Sequence, residues 1–518
     1  MINEFPQDYI NRMKKQMGEE YDSFIKSYEL PYVKSLRVNL LKISPKDCVS
    51  LLGKKQVSDC DLNKFGVPWE SAGVYYCEED EEKACGLATD SLLVNSPGKS
   101  PLHEAGAYYI QEASAMLPVT MLDLDHDGLT VLDLCAAPGG KSTQIAAYLK
   151  GRGLLVSNEI VSSRALILSE NIERMGVRNA LVVSEDPNKL SDRFAGFFDR
   201  ILVDAPCSGE GMFRKHPEAM EEWSLDNVDM CAARQDMILD CAANMLAFGG
   251  KIVYSTCTFS MEEDEGSCER FLKRHPEFEI CDAPTRLFPH KERGEGHFAV
   301  SFVRTGQTGN CEDTSFAAQN ELSGKDCSMS ARKSEKRKSA ANQGKMIFSK
   351  EEKQALSTFV GETFCSESII SIIINECLNV GKSYALSNLS GQKLVRFGDC
   401  VYLAPVSVPD TNGLKVMRIG LKLGEFKKNR FEPDHAFCMA TAPADVKNYC
   451  DYDYKSAEIA GFLNGMTLTV NESDDGLQVF SDKKGWCLVC VNGVSLGWGK
   501  IAGNIIKNHY PKGLRIQK

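Results

Sequence analysis

Two cysteines close neighbouring apolar runs in this chain. Cys207 stands in DAPCSGEG (204–211), at the end of RILVDAP (200–206), and Cys257 ends KIVYSTC (251–257). A single cysteine is more often an inert buried residue than a nucleophile. Two at matching positions beside an acid, Asp204, reverse that reading. A thiolate is a strong carbon nucleophile, and a second thiol and a carboxylate are the groups that would move or hold protons around a covalent adduct.

A third segment, DLCAAPGGKS (133–142), follows another apolar run and enters a helical pattern. Its small residues from Ala136 to Gly140 permit a tight strand-to-helix turn in which backbone presses against a ligand. The amides at the following helix start favour a carboxylate, such as the methionine end of S-adenosylmethionine. A phosphate loop is excluded, because Pro138 falls where its Gly-Lys-Ser/Thr spacing fails. Glu159 ends the next apolar run and is placed to accept ribose hydroxyls. Asp186 follows the run after that and is placed to meet an adenine amino group, with Glu185 as its rival. Singly each acid reads as a solvated loop carboxylate; at successive strand ends they point to a nucleoside ligand.

The elements that must carry these residues alternate. VLDL (131–134), LLVSNE (154–159), ALVV (180–183), RILVDAP and KIVYSTC read as buried strands, and Lys141 to Leu149, Ser162 to Met175 and Gln235 to Phe248 read as helices. This predicts an α/β, Rossmann-like parallel sheet with helices on both faces, whose chemistry gathers beyond the carboxyl ends of the strands. AVSFVRT (299–305) is expected to close the sheet as an edge strand. Phe5, Tyr9, Met13, Met17, Tyr21 and Phe24 recur at helical spacing near the start.

The three motifs, in this order, resemble the RsmB/NOP/NSUN family of RNA cytosine-5 methyltransferases. The resemblance covers roughly residues 30–304, since SLRVN (35–39), GAYYIQEASAM (106–116) and GEGHFAVSFVR (294–304) also look like family segments. It implies that Cys257 attacks carbon 6 of a cytosine, that Cys207 assists product release, and that Asp204 holds the cytosine edge. It implies cofactor contacts from Cys135, Ala136, Ala137, Pro138, Gly139, Gly140 and Lys141, and from Glu159, Arg164, Asp186 and Asp204. SEDP (184–187) departs from the family's usual third motif. The C-terminal extension resembles the bacterial RsmF branch, which methylates cytosine in small-subunit ribosomal RNA. FKKNRFEPDHAF (426–437) and KNHYPKGLR (507–515) look like its PUA-like module, with Tyr510 suited to stacking on a base. The resemblance therefore implies S-adenosylmethionine as cofactor and 16S rRNA or the small ribosomal subunit as partner. A transfer-RNA cytosine-5 methyltransferase and a catalytically idle ribosome-assembly factor are the alternatives.

At 518 residues the chain exceeds one ordinary core, and roughly three or four domains are expected. The divisions expected are an α+β RNA-binding unit over 1–96, the catalytic unit over 97–304, a flexible linker over 305–345, a middle unit over 346–430 and the PUA-like unit over 431–518. The linker is polar and carries the basic run RKSEKRK (332–338), read as a solvated tether. A net charge of −11 argues against indiscriminate coating of nucleic acid but leaves room for a local basic groove. Glu4 and Asp8 stand where a secretory leader would be apolar, and no apolar run is long enough to span a bilayer. With 20 cysteines, the reading is a cytoplasmic protein with free thiols and no metal, acting as a monomer. The lone CxxC of Cys487 and Cys490 reads as alternating strand cysteines.

Overall fold

A computed structural model describes residues 5–53, 59–78, 91–306, 348–379, 391–428, 430–470, 476–480 and 484–516. Its centre is an eight-stranded sheet. In chain order the strands are β1 (Thr130–Asp133), β2 (Leu154–Asn158), β3 (Ala180–Val183), β4 (Phe198–Asp204), β5 (Leu246–Thr256), β6 (Phe278–Leu287), β7 (His297–Arg304) and β8 (Val416–Ile419). Their spatial order is β6-β7-β5-β4-β1-β2-β3-β8. The five strands from β3 to β5 are parallel; β7 pairs antiparallel with β5, β6 with β7, and β8 with β3. Every residue of β2 and β3 is buried, as the uninterrupted apolar runs require of strands covered on both faces. Three helices matter for the site: α1 (Gly140–Leu149), α2 (Ser162–Arg174) and α3 (Leu225–Met245).

Two expectations are corrected here. AVSFVRT is not the edge: β7 lies inside the sheet, and β6 forms that edge. FEICDAPTRL conceals a strand because most of its residues face solvent and its pairing with β7 shifts register twice. The helix expected from Gln235 begins instead at Leu225, where the Ser224 hydroxyl accepts from Asn227 N at 3.1 Å. It ends at Met245, and Leu246 to Phe248 belong to β5.

The N-terminal residues form a mainly antiparallel sheet in which Lys34–Val38 lies between Glu70–Cys77 and Tyr108–Ile110 and Leu92–Leu93 pairs parallel with Glu70–Cys77. The opening helix, Gln7–Met17, buries Tyr9, Met13 and Met17 among Phe213, Trp223 and Phe259, three residues of the loops that follow β4 and β5. C-terminal to the sheet, Gln392–Phe397, Cys400–Pro405, Leu421–Lys427 and Arg430–Pro433 make a four-stranded antiparallel sheet, and residues 448–508 a six-stranded one. Cys487 and Cys490 lie on one strand and enter different cores. Tyr510 is also core: 2% exposed, its ring lies 5.8 Å from that of Phe462 and 5.4 Å from that of His435. It is thus no platform for a base, contrary to the sequence reading. Beyond Gly306 the expected linker and its basic run lie outside the described residues. Among the described residues every cysteine is free, no group of three or more His, Cys, Asp or Glu side chains could hold a metal ion, and no helix is long and apolar enough to cross a membrane.

Candidate active site

The turn after β1 carries Cys135 to Gly139 into α1. Ala136 N donates to Asn158 O at 2.8 Å, which ties the turn to the end of β2. Gly139 has φ 115°, and a Cβ there would lie 3.2 Å from Leu168 Cδ1, so only glycine fits. Ala137 O accepts from Arg164 Nη2 at 3.0 Å and Pro138 O from Asn171 Nδ2 at 2.9 Å, both from α2. Gly140 O accepts from Arg37 Nη1 at 2.6 Å, and Thr143 Oγ1 from Arg37 Nη2 at 2.8 Å. Arg37 is 1% exposed and belongs to SLRVN, so the N-terminal sheet locks the start of α1.

Glu159 is buried at the tip of β2. Its Oε1 accepts from Val161 N at 2.9 Å, and Arg164 Nη1 lies 3.2 Å from Oε2. At the tip of β3 the two rivals differ. Glu185 is buried, whereas Asp186 is exposed and caps the helix Pro187–Arg193, accepting from Asn188 N at 2.8 Å. Asp133, the last residue of β1, is fully buried; it accepts from Ser142 Oγ at 2.7 Å while its Oδ1 has no partner. Burial pushes its carboxyl up to about 7. The glycine turn, the acids at successive strand tips and this unpaired buried oxygen match a nucleoside with an amino-acid tail.

On the other side of β1, Asp204 ends β4. Lys141 Nζ lies 2.7 Å from its Oδ2, and Ser255 Oγ donates to Oδ1 at 2.9 Å. Burial alone would raise the Asp204 carboxyl, but the Lys141 ammonium and His297 together outweigh it and hold the group well below the usual carboxylate range. His297 Nε2 stands 3.6 Å from Oδ1 with the ring 2% exposed.

The loops after β4 and β5 are zipped together. Ala205 N donates to Ser255 O at 2.9 Å, the Ser208 and Thr258 hydroxyls are 2.8 Å apart, and Gly211 N donates to Cys257 O at 2.9 Å. A Cβ on Gly211 would press within 2.9 Å of that same carbonyl. This zipper brings Cys207 Sγ to 3.3 Å from Cys257 Sγ. The contact with Cys257, with burial second, pushes the Cys207 thiol well above its ordinary range, so Cys207 keeps its proton at neutral pH.

Behind the thiols lies a buried carboxylate that the sequence reading missed. Glu263 accepts from Ser208 N at 3.0 Å, from Gln235 Nε2 at 2.9 Å and from the Ser208 hydroxyl. Burial pushes it up to about 7. An acid raised in the folded state stabilises fully below its ordinary value and loses that contribution as pH rises to about 7. Glu263→Gln keeps the two bonds accepted by one oxygen, with its amide N–H donating to the Ser208 hydroxyl in place of the third, and is expected to lose less stability than wild type between pH 5 and 8 in urea titrations. Glu263→Ala strands the Ser208 amide, at a cost of about 1–3 kcal/mol. Equal pH slopes for wild type and Glu263→Gln would assign the pH dependence elsewhere.

All thirteen candidate residues from the sequence lie at or just beyond the carboxyl ends of β1 to β5 or on α1 and α2. Arg37, Ser255, Glu263 and His297 were not singled out. Arg37 and His297 lie in quoted segments, SLRVN and GEGHFAVSFVR, which were a usable signal; Glu263 had none, since an acid in MEEDEG reads as solvated surface.

A doubly wound sheet in this strand order, with a glycine turn after its first strand and acids at the next tips, has the fold of S-adenosylmethionine-dependent methyltransferases. PH0851, of known crystal structure, matches it with a TM-score of 0.51 and 25% identity over 57% of this chain and 66% of that one. Residues 119–319 match the model for 16S rRNA methyltransferase RsmB/F, and 5–113 the N-terminal domain of 16S rRNA methyltransferase RsmF. Residues 379–441 match the RsmF first C-terminal domain, and 451–516 the RsmF PUA domain. Ribosomal RNA small subunit methyltransferase F of Shewanella piezotolerans is 31% identical over 520 residues, 98% of this chain and 97% of that one. Its counterpart in Aeromonas salmonicida is 39% identical over 286 residues, and there the match spans 54% of this chain and 56% of the relative. The chain belongs to the RsmF family of ribosomal RNA small-subunit methyltransferases.

Proposed function

We propose that this protein forms 5-methylcytosine in small-subunit ribosomal RNA, using S-adenosylmethionine and a transient Cys257–cytosine bond. The observation that carries this reading is the pair of thiols 3.3 Å apart beside Asp204, at the tips of β4 and β5. The cofactor, when bound, supplies an electrophilic methyl group. Residues Cys135 to Lys141, Glu159, Arg164, Asp186 and Asp204 would hold it.

Carbon 5 of cytosine is too weak a nucleophile to accept a methyl group unaided. Cys257, as thiolate, forms a sulfur–carbon bond at carbon 6, which makes carbon 5 enamine-like and reactive. Asp204 faces the polar edge of the ring, and its fixed charge stabilises a protonated ring nitrogen in the adduct. After carbon 5 gains the methyl group, its proton departs to a water molecule acting as base, the carbon–hydrogen electron pair re-forms the 5,6 double bond, and the Cys257 sulfur leaves with the carbon–sulfur pair as thiolate. Cys207 stays protonated beside that sulfur and serves this release step. The base must be unstacked to meet Cys257, so an accessible loop or remodelled RNA is the substrate.

Incubating the protein with methyl-labelled S-adenosylmethionine and 16S rRNA, small subunits or transfer RNA, followed by nuclease digestion, tests the assignment. Labelled 5-methylcytidine from ribosomal RNA or small subunits is expected. Label only in transfer RNA would reassign the substrate, and no label with any RNA would favour an idle assembly factor.

A further inference from the structure

The strand that extends the catalytic sheet comes from far along the chain. β8 pairs with β3, and Gly420 N donates to Ala180 O at 2.8 Å. The residues that precede β8 therefore run past the tips of β2 and β3, where the acids stand. Lys415 meets both tips at once. Its carbonyl accepts from Ser184 N at 2.9 Å, its N–H donates to Glu185 Oε1, and its ammonium donates to the Ser162 hydroxyl. Ser162 begins α2, three residues after Glu159, and its hydroxyl lies 3.0 Å from that of Ser184. The approach is secured further along. Lys189 Nζ donates to Gly413 O at 2.7 Å and to Glu185 Oε1 at 2.8 Å, Arg193 Nη2 lies 3.0 Å from Asp410 Oδ2, and Arg418 pairs with Glu173 of α2.

We infer that Lys415 is a positioning residue for the cofactor: it clamps the β2 and β3 tips at the spacing that an adenosine needs between them, so cofactor affinity depends on the C-terminal half of the chain. The inference rests on the reading of Glu159 to Asp186 as the adenosine pocket. Its physical content is preorganisation. A loop held in its bound geometry leaves less entropy to be lost when the ligand enters. A clamp acting in this way changes affinity for any ligand that carries the adenosine, and leaves alone the steps that involve only the thiols and RNA.

The test is calorimetry on the full-length protein with S-adenosylhomocysteine and with adenosine alone. Lys415→Ala removes one exposed side chain and is expected to weaken both ligands by roughly tenfold, the size of one charge-assisted hydrogen bond. Lys415→Arg should restore most of the affinity. Ser162→Ala sits on the other side of the same contact. The double variant should bind no worse than Ser162→Ala alone, because Ser162→Ala removes the Lys415 contact together with the one to Ser184. In turnover, Lys415→Ala should raise KM for S-adenosylmethionine while kcat and the KM for RNA hold. Wild-type affinity in folded Lys415→Ala, or additive effects in the double variant, would overturn the clamp. Glu159→Ala separates the two readings: if it too binds normally, the pocket assignment has failed; if it binds weakly while Lys415→Ala does not, the clamp alone has. Should Lys415→Ala not fold, Ser162→Ala compared with Ser184→Ala reads the contact, since both remove the bond between the two hydroxyls and only the first removes the one to Lys415; equal affinities of the two variants would overturn the clamp.

Discussion

Cys257→Ser is expected to abolish methyl transfer, and Cys207→Ser to accumulate protein covalently joined to RNA. The serine hydroxyl at position 257 stays protonated near neutral pH and does not add to carbon 6, so the first bond of the sequence never forms. The loss should approach the whole rate enhancement that the covalent route supplies, several orders of magnitude in kcat. In Cys207→Ser the nucleophile and the methyl donor pocket are intact, and methylation proceeds to the adduct. A serine hydroxyl in that place is a far weaker acid than the Cys207 thiol that stands 3.3 Å from the Cys257 sulfur, so it stabilises the departing thiolate less, and release slows. Denaturing gels should show a shifted band for Cys207→Ser with RNA and cofactor, none for Cys257→Ser and none for the double variant. The reverse pattern, with Cys257→Ser trapping RNA and Cys207→Ser inert, would exchange the two roles.

The second large effect is expected at Asp204. Lys141 is 9% exposed, and Asp204 is the carboxylate within ion-pair distance of its ammonium. Asp204 is itself partly exposed, but removing it leaves the buried Lys141 ammonium unpaired, which costs up to about 3 kcal/mol. Asp204→Ala is therefore expected to lower kcat/KM by roughly a hundredfold or more and to lower stability as well. Asp204→Asn keeps the hydrogen bond from Ser255 but not the charge, and its loss should fall mainly on kcat if the carboxylate acts on the adduct. Lys141→Met combined with Asp204→Asn should recover stability relative to Asp204→Asn alone, since no buried charge is then stranded. The sign with pH is definite. Asp204 is held below the ordinary carboxylate range, so its contribution is present above that range and is lost only as strong acid protonates it. Wild-type stability should therefore show no loss from Asp204 between pH 6 and 8. A kcat/KM for Asp204→Ala within a few fold of wild type would remove the residue from the site.

The local sequence determined much of this protein. The short runs VLDL (131–134), LLV at the start of 154–159 and ALVV (180–183), alternating with helical stretches, read as covered strands, and the motifs that follow them announce where the chemistry lies. DLCAAPGGKS specified its own turn because only glycine at 139 and small residues before it allow the chain to reverse against α2. Cys207 and Cys257 were legible for the same reason: each closes a strand, and parallel strands deliver their ends to one rim. β6 was not legible, because an edge strand exposed on most of its length carries little apolar alternation.

What the tertiary structure alone decided is which distant residues meet that rim. Arg37 reaches Gly140 from a separate sheet, Glu263 is buried only because Ser208 and Gln235 close over it, and Lys415 arrives from some 230 residues beyond Glu185. Tyr510 shows the converse, for its aromatic ring in a basic tail reads as an RNA contact until the packing of Phe462 and His435 around it is seen. The reason is the same in each case. Strand and turn propensities act over a few neighbouring residues and leave a pattern in the sequence. The burial of a charged or polar side chain depends on partners that the chain brings together only when its sheets pack, and no local pattern records them.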